Sequence, residues 1–320
     1  MNFSSNITSL INDTPLIKIC DDDAVIYAKC EHLNPGLSLK DRIAKHMIEV
    51  AFREYYIRKG STIVCASSGN TGYSISMLAA YYKINSIIIT TEKCSNEKRD
   101  HIKSTGAKLI VRPESDYMSF AKEYAKKHSY YCIDQYNTPA NPQAYYESLG
   151  PEIWNQTKEK ITHFVMTGST FGCICGTAKY LKEQNPKIKI ILADPEGSNI
   201  GDYFKAFQTG DQSTPITNGH SYLIEGAGKS GPTDCLDFSL IDEVVKVNDQ
   251  EAISTCYQLA RENGLNVGGS SGLNVYAAKK IASKLNPTDV VVTILCDHGI
   301  KYLSKLYNPT YLHNNDILTY

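Results

Sequence analysis

No apolar run in this 320-residue chain approaches the ~20 residues that a membrane-spanning helix needs. A membrane partner is therefore not expected. An excess of either charge is missing too: 33 Lys and Arg stand against 34 Asp and Glu, a net charge of −1. No basic cluster is interleaved with aromatics, so nucleic acid is not an expected partner. The opening MNFSSNITSLINDT lacks the basic-then-apolar order of a secretory signal, which predicts a cytoplasmic protein. In that setting the glycosylation-like triplet Asn6-Ile7-Thr8 is idle. The 10 cysteines supply only one close pair, Cys173 and Cys175. A zinc site needs about four ligands at suitable spacing, so no metal is expected. Cytoplasmic thiols stay free, and Cys65 and Cys296, set in apolar runs, read as small core residues.

Two nucleotide motifs are missing as well. Gly228-Lys229-Ser230 resembles the end of a Walker loop, but that pattern needs glycine at position 223, where the chain has Leu223. Gly231-Pro232 opposes the helix such a loop leads into. Between Gly168 and Thr177 the glycine spacing of a dinucleotide fingerprint is absent. ATP and nicotinamide chemistry are both poorly supported.

What the chain does contain is an alternation of strands and helices. It is 42% hydrophobic and 21% charged, an ordinary globular balance, and its length suggests roughly two domains. Continuous apolar runs predict buried strands at 61–65, 86–90, 108–111, 164–166, 188–192 and 289–295. Between them the spacing predicts helices over 70–83, 95–104, 115–128, 173–185, 249–262 and 272–285. The fold class is α/β with mainly parallel sheets. Neither an internal repeat nor a low-complexity linker interrupts it.

Lys40 sits oddly in this pattern. It falls at a helix start, just after Asn34-Pro35-Gly36, where the helix dipole disfavours a cation. It is either a solvated surface lysine or one held there for its amine. Four glycine- and hydroxyl-rich stretches bear on the choice: Ser67–Gly72, Gly168–Thr177, Glu225–Gly228 and Gly268–Gly272. Glycine lets backbone approach a ligand, and free amides at a helix start bind anions. An amine, several anion-binding loops and no metal are complementary to pyridoxal phosphate, whose aldehyde takes a lysine and whose phosphate takes a helix start.

The ordered motifs resemble the cysteine synthase/cystathionine β-synthase family of pyridoxal-phosphate enzymes, with the tryptophan-synthase β-like fold (type II). The likeness runs from about Leu10 to Leu306. It is carried by Asn34–Arg42, Ser68-Gly-Asn-Thr-Gly72, Asp134–Tyr136, Asn141-Pro142, Gly150–Trp154, Asp194–Ser198, Glu225–Gly228 and Gly268–Gly272. The resemblance implies two doubly wound domains with the cofactor between them: a smaller one at 36–148, a larger one at 1–35 plus 149–308, and a peripheral tail at 309–320. It makes Lys40 the catalytic residue and cofactor anchor. Asn70 would meet the cofactor ring oxygen, Ser169, Thr170, Phe171, Gly172 and Cys173 its phosphate, and Ser270 its pyridine nitrogen. The substrate would be held by Ser67, Ser68, Gly69, Thr71, Gln135, Gly226 and Ala227. The implied reaction is β-replacement on an activated serine through an aminoacrylate, by a transferase or lyase of cysteine biosynthesis, in a homodimer.

The chain also departs from that pattern. The family's phosphate loop usually reads G-T-G-G-T-x-x-G, whereas here Phe171 replaces a glycine and Cys173 a hydroxyl. Cys65 stands where an acidic residue is common, and Cys296 where proline precedes Asp297. Sulfide leads as the second substrate. Homocysteine, cysteine or an amine stay open, as does sulfide release from cysteine. A catalytically weak partner-binding protein is the alternative of another class.

Overall fold

The computed structural model describes residues 4–20, 23–67, 69–92, 94–211, 213–217 and 219–318. Two sheets organise them. Strands β1 (Leu16–Cys20), β2 (Val25–Lys29), β7 (His163–Thr167), β8 (Lys189–Pro195), β9 (Glu243–Val247) and β10 (Val290–Ile294) form a six-stranded sheet in the order β1-β2-β10-β7-β8-β9. Only the edge strand β1 runs antiparallel to its neighbour. Strands β3 (Thr62–Ala66), β4 (Asn85–Thr91), β5 (Lys108–Arg112) and β6 (Tyr131–Ile133) form a parallel sheet in the order β5-β4-β3-β6. Helices cover the sheets, which is why central strands such as β10 are buried along their length.

The helices are α1 (Lys40–Arg53), α2 (Asn70–Tyr82), α3 (Asn96–Ser104), α4 (Tyr117–His128), α5 (Ala140–Glu147), α6 (Leu149–Gln156), α7 (Gly172–Gln184), α8 (Ile200–Thr209), α9 (Asp249–Asn263), α10 (Gly269–Ala282) and α11 (Pro309–His313). The α/β reading of the sequence holds. Helix α10 starts three residues before its expected position, because Gly268 rather than Ser271 is its N-cap. The segment 309–320, expected as peripheral, contributes Leu312 and Ile317 to the core beneath the six-stranded sheet; its residues 319 and 320 lie outside the described residues.

Three features aim the fold at one cleft. The loops after β3, β7 and β10 all leave the carboxyl ends of parallel strands, where such sheets bind ligands. Buried Asn274 of α10 ties two of those ends together: its Oδ1 accepts from the Thr167 amide at 2.7 Å, and its Nδ2 donates to the Ile294 carbonyl at 2.9 Å. Behind α1, Arg42 donates to both oxygens of Glu31 and both of Glu152, each at 2.7 Å, and to Asn12. Lys29 joins Glu152 at 2.6 Å. Two cations and two carboxylates thus neutralise one another in the interior, and they hold the first turn of α1 in place.

Candidate active site

Lys40 is the first residue of α1, and its amide donates to Ser38 Oγ at a long 3.4 Å. Lys40 lines a cleft shared with Asn70, Ser169, Thr170, Phe171, Cys173, Gly226 and Ser270. No hydrogen bond or ion pair to a described residue reaches its Nζ. Burial lowers its pKa, against an opposing pull from Cys173, Cys296 and Asp297. Both thiols are themselves kept protonated by burial, Cys296 pushed up to about 12, so near neutral pH they are uncharged. The misplaced lysine is therefore an amine biased toward its neutral, nucleophilic form.

Opposite stands the start of α7. Phe171 is its N-cap, with φ +64 and ψ −6, the left-handed region that favours glycine. Its ring is buried, and it lies so close to Gly168 that a Cβ there would collide with Phe171 Cδ1. The departure from glycine is thus absorbed by packing, and the loop still presents a helix start. The leading amides of α7 have no partners within the helix, and Ser169 and Thr170 line the cleft beside them. Gly172, the first residue of α7, does not line it; a Cβ there would strike Asn141 Oδ1.

These residues fit pyridoxal phosphate. An unpartnered amine and an anion-binding helix start face one cavity, and Ser270 and Asn70 add polar groups between them.

The expected substrate residues divide. Gly226 lines the cleft, with positive φ and open space where a Cβ would project. Ser67 instead caps the start of α2, its Oγ accepting from the amides of Gly69 at 3.2 Å and Gly72 at 2.8 Å. Thr71 donates to Gln135 Oε1 at 2.7 Å, and Gln135 donates to the Ala66 carbonyl. Gly69 and Ala227 are buried and do not line the cleft themselves. Ser68 lies outside the described residues.

Sequence reasoning missed the groups that hold Asn70. Its Nδ2 donates to Asp297 Oδ2 at 2.6 Å, and its Oδ1 accepts from Lys301 Nζ at 2.8 Å. Lys301 also donates to the Gly36 carbonyl, and burial takes its pKa down to about 8. Glu225, at the cleft, joins Lys98 of α3 at 2.5 Å and Lys305 at 2.6 Å. No spacing signal marks these residues, because each pair is distant in the chain.

Comparison with known proteins agrees with this geometry. A family model described as pyridoxal-phosphate dependent enzyme matches residues 7–297. The chain is 33% identical over 317 residues to the O-acetylserine dependent cystathionine beta-synthase of Bacillus subtilis, covering 95% of this chain and 98% of that one. It is 35% identical to a Staphylococcus aureus cysteine synthase, covering 93% and 95%. The crystal structure of O-acetylserine dependent cystathionine beta-synthase from Helicobacter pylori superposes with a TM-score of 0.84 at 34% identity, covering 95% and 99%. That of O-ureido-L-serine synthase reaches 0.88 at 27% identity, covering 96% of each chain.

Proposed function

The chain belongs to the cysteine synthase/cystathionine β-synthase family of pyridoxal-phosphate dependent enzymes, and from that premise we propose how its own residues carry out the reaction. The enzyme performs β-replacement on an activated, O-acetylserine-like serine, in which a nucleophile displaces the leaving group on the β-carbon. The observation that carries the assignment of roles is the unpartnered, charge-depleted amine of Lys40 facing the start of α7.

Bound pyridoxal phosphate supplies an aldehyde and an electron-withdrawing ring that acidifies the α-carbon of an amino acid. Lys40 anchors it through Nζ and, once freed by substrate, takes the α-proton on the same atom. Amides at the start of α7, with Ser169 and Thr170, hold the phosphate. Asn70, fixed by Asp297 and Lys301, has one amide hydrogen left for the ring oxygen. Ser270, which lines the cleft, would offer the pyridine nitrogen a neutral hydroxyl; a ring so partnered would withdraw fewer electrons than one facing a carboxylate, which would favour loss of a β-leaving group over transamination. The loop from Gly69 to Gly72 receives the substrate carboxylate. Ser67, Thr71 and Gln135 shape that loop through the bonds described above. The family resemblance implies a homodimer, which sedimentation tests.

Borohydride reduction of the purified protein, followed by peptide mass analysis, tests the anchor. The cofactor mass is expected on the peptide that contains Lys40. Its attachment to another lysine would contradict the assignment. A chain that takes up no cofactor would move the partner-binding alternative, motivated by Phe171, to first place.

A further inference from the structure

Gly228-Lys229-Ser230, unsuited to a nucleotide, has a place in the fold that the roles above leave unused. The Gly228 amide donates to the Gly168 carbonyl at 2.7 Å, and the Thr233 hydroxyl donates to the Thr170 carbonyl at 2.9 Å. Gly168 and Thr170 both line the cleft. The intervening loop is thus pinned at each end to the cleft wall. Ser198 clamps Lys229 itself: its Oγ accepts from the Lys229 amide and donates to the Lys229 carbonyl, both at 3.0 Å. Gly228 must be glycine here, with φ +66 and a Cβ that would meet Ser198 at 2.7 Å.

The side chain of Lys229 reaches across to the other lobe. Its Nζ lies 4.5 Å from the ring centroid of Tyr136, the residue after Gln135. Cys235 holds the Tyr136 carbonyl from the same loop, at 3.2 Å. The amine is half-buried and has no acidic partner among the described residues, and burial alone lowers its pKa. The neighbouring cations are committed: Lys98 and Lys305 to Glu225, Lys301 to Gly36 and Asn70, Lys122 to Asp134, and Lys40 to the cofactor. An ammonium held on an aromatic face without a counter-ion is a ready anion subsite.

Given the β-replacement reading, on which this rests, one substrate carboxylate goes to the Gly69–Gly72 loop. A second amino acid would bring another carboxylate, and Lys229, with no acidic partner among the described residues and on a loop pinned to the cleft wall, can meet it. We propose that Lys229 binds the carboxylate of the incoming nucleophile, and so selects a carboxylate-bearing thiol over bare sulfide.

The test compares homocysteine with 2-mercaptoethanol as nucleophile for the holoenzyme, with O-acetylserine saturating. The wild type is expected to prefer homocysteine in kcat/KM. Lys229→Met should shrink that preference roughly ten- to a hundredfold, chiefly through KM, since a charge-assisted hydrogen bond is lost. Lys229→Arg should restore much of it. The visible cofactor band reports that each variant keeps its cleft, and Lys229→Gln serves if the Met variant loses it. No preference in the wild type, or a preference that survives Lys229→Met, overturns the proposal. A wild-type spectrum that ignores O-acetylserine overturns the β-replacement reading, and this inference with it.

Discussion

At the scale of single residues, Phe171 shows which of two opposed effects wins. Its left-handed backbone costs about 1–2 kcal/mol for a side chain with a Cβ. Its buried ring is worth more, since removing a phenylalanine from a core costs about 3–5 kcal/mol. Phe171→Gly is therefore expected to destabilise the protein despite restoring the residue usual in the family. Phe171→Ala keeps the backbone strain and should be worse by about 1 kcal/mol. Chemical denaturation of both variants checks the order; a Phe171→Gly protein more stable than the parent would show that the ring contributes little. That Lys40 shares a cleft with the stretches at 67–72 and 168–177 was legible in the sequence, because a cation at a helix start and glycine- and hydroxyl-rich turns are locally unusual; Asn70, Ser169 and Thr170 were singled out within those stretches by the family resemblance. The role of Ser67 was not, because a hydroxyl that caps its own loop has the same local signature as one that binds a ligand.

Elements were legible where burial made their pattern simple. Strands β4 and β10 are covered on both faces and appear as unbroken apolar runs. Strands β1 and β9 are partly exposed and β6 has only three residues, so their periodicity is weak. Helices α5 and α6 hid behind Pro142 and Pro151. Each proline falls in a first helical turn, where the missing N–H has no acceptor to lose, so it reads as a turn while permitting a helix. The start of α1 depends on the buried Arg42, Lys29, Glu31 and Glu152 cluster. Replacing Arg42 with Ala should cost about 3–5 kcal/mol, because carboxylates are left unpaired in the interior. Burial works to raise the Glu152 carboxyl, but Arg42 and Lys29 overcome it and hold its pKa at about 2. The folded pKa lies below the usual 4.5. The stabilisation from Glu152 is thus present above pH 4.5 and is lost as pH falls through 2. The stability difference between wild type and Glu152→Gln should shrink over that window in acid titration. A difference that stays constant down to pH 2 would show that the carboxylate charge contributes nothing.

For the whole molecule, the decisive contacts join segments far apart in the chain, which is why the sequence did not reveal them. Glu225 bridges Lys98 of the four-stranded lobe and Lys305 of the six-stranded lobe, and Lys98 stands 127 positions from it. One carboxylate thus ties α3 to the segment after β10 beside the cleft. Glu225→Gln leaves two cations facing each other, and at about 1.5–3 kcal/mol per charge-assisted bond the lobes should separate more readily. Hydrogen exchange is expected to quicken in α3 and in the loop at 223–228, with the sheet cores unchanged. Uniform protection in both proteins would show that apolar packing alone holds the cleft.

The central claim is that Lys40 anchors pyridoxal phosphate and works on an activated serine. The most direct test is the visible absorbance of the wild-type protein and of Lys40→Ala, recorded before and after O-acetylserine is added. The wild type should show a yellow band that gives way to a longer-wavelength band, and Lys40→Ala should lose turnover by at least about 10²-fold. Turnover that survives in Lys40→Ala would contradict the claim.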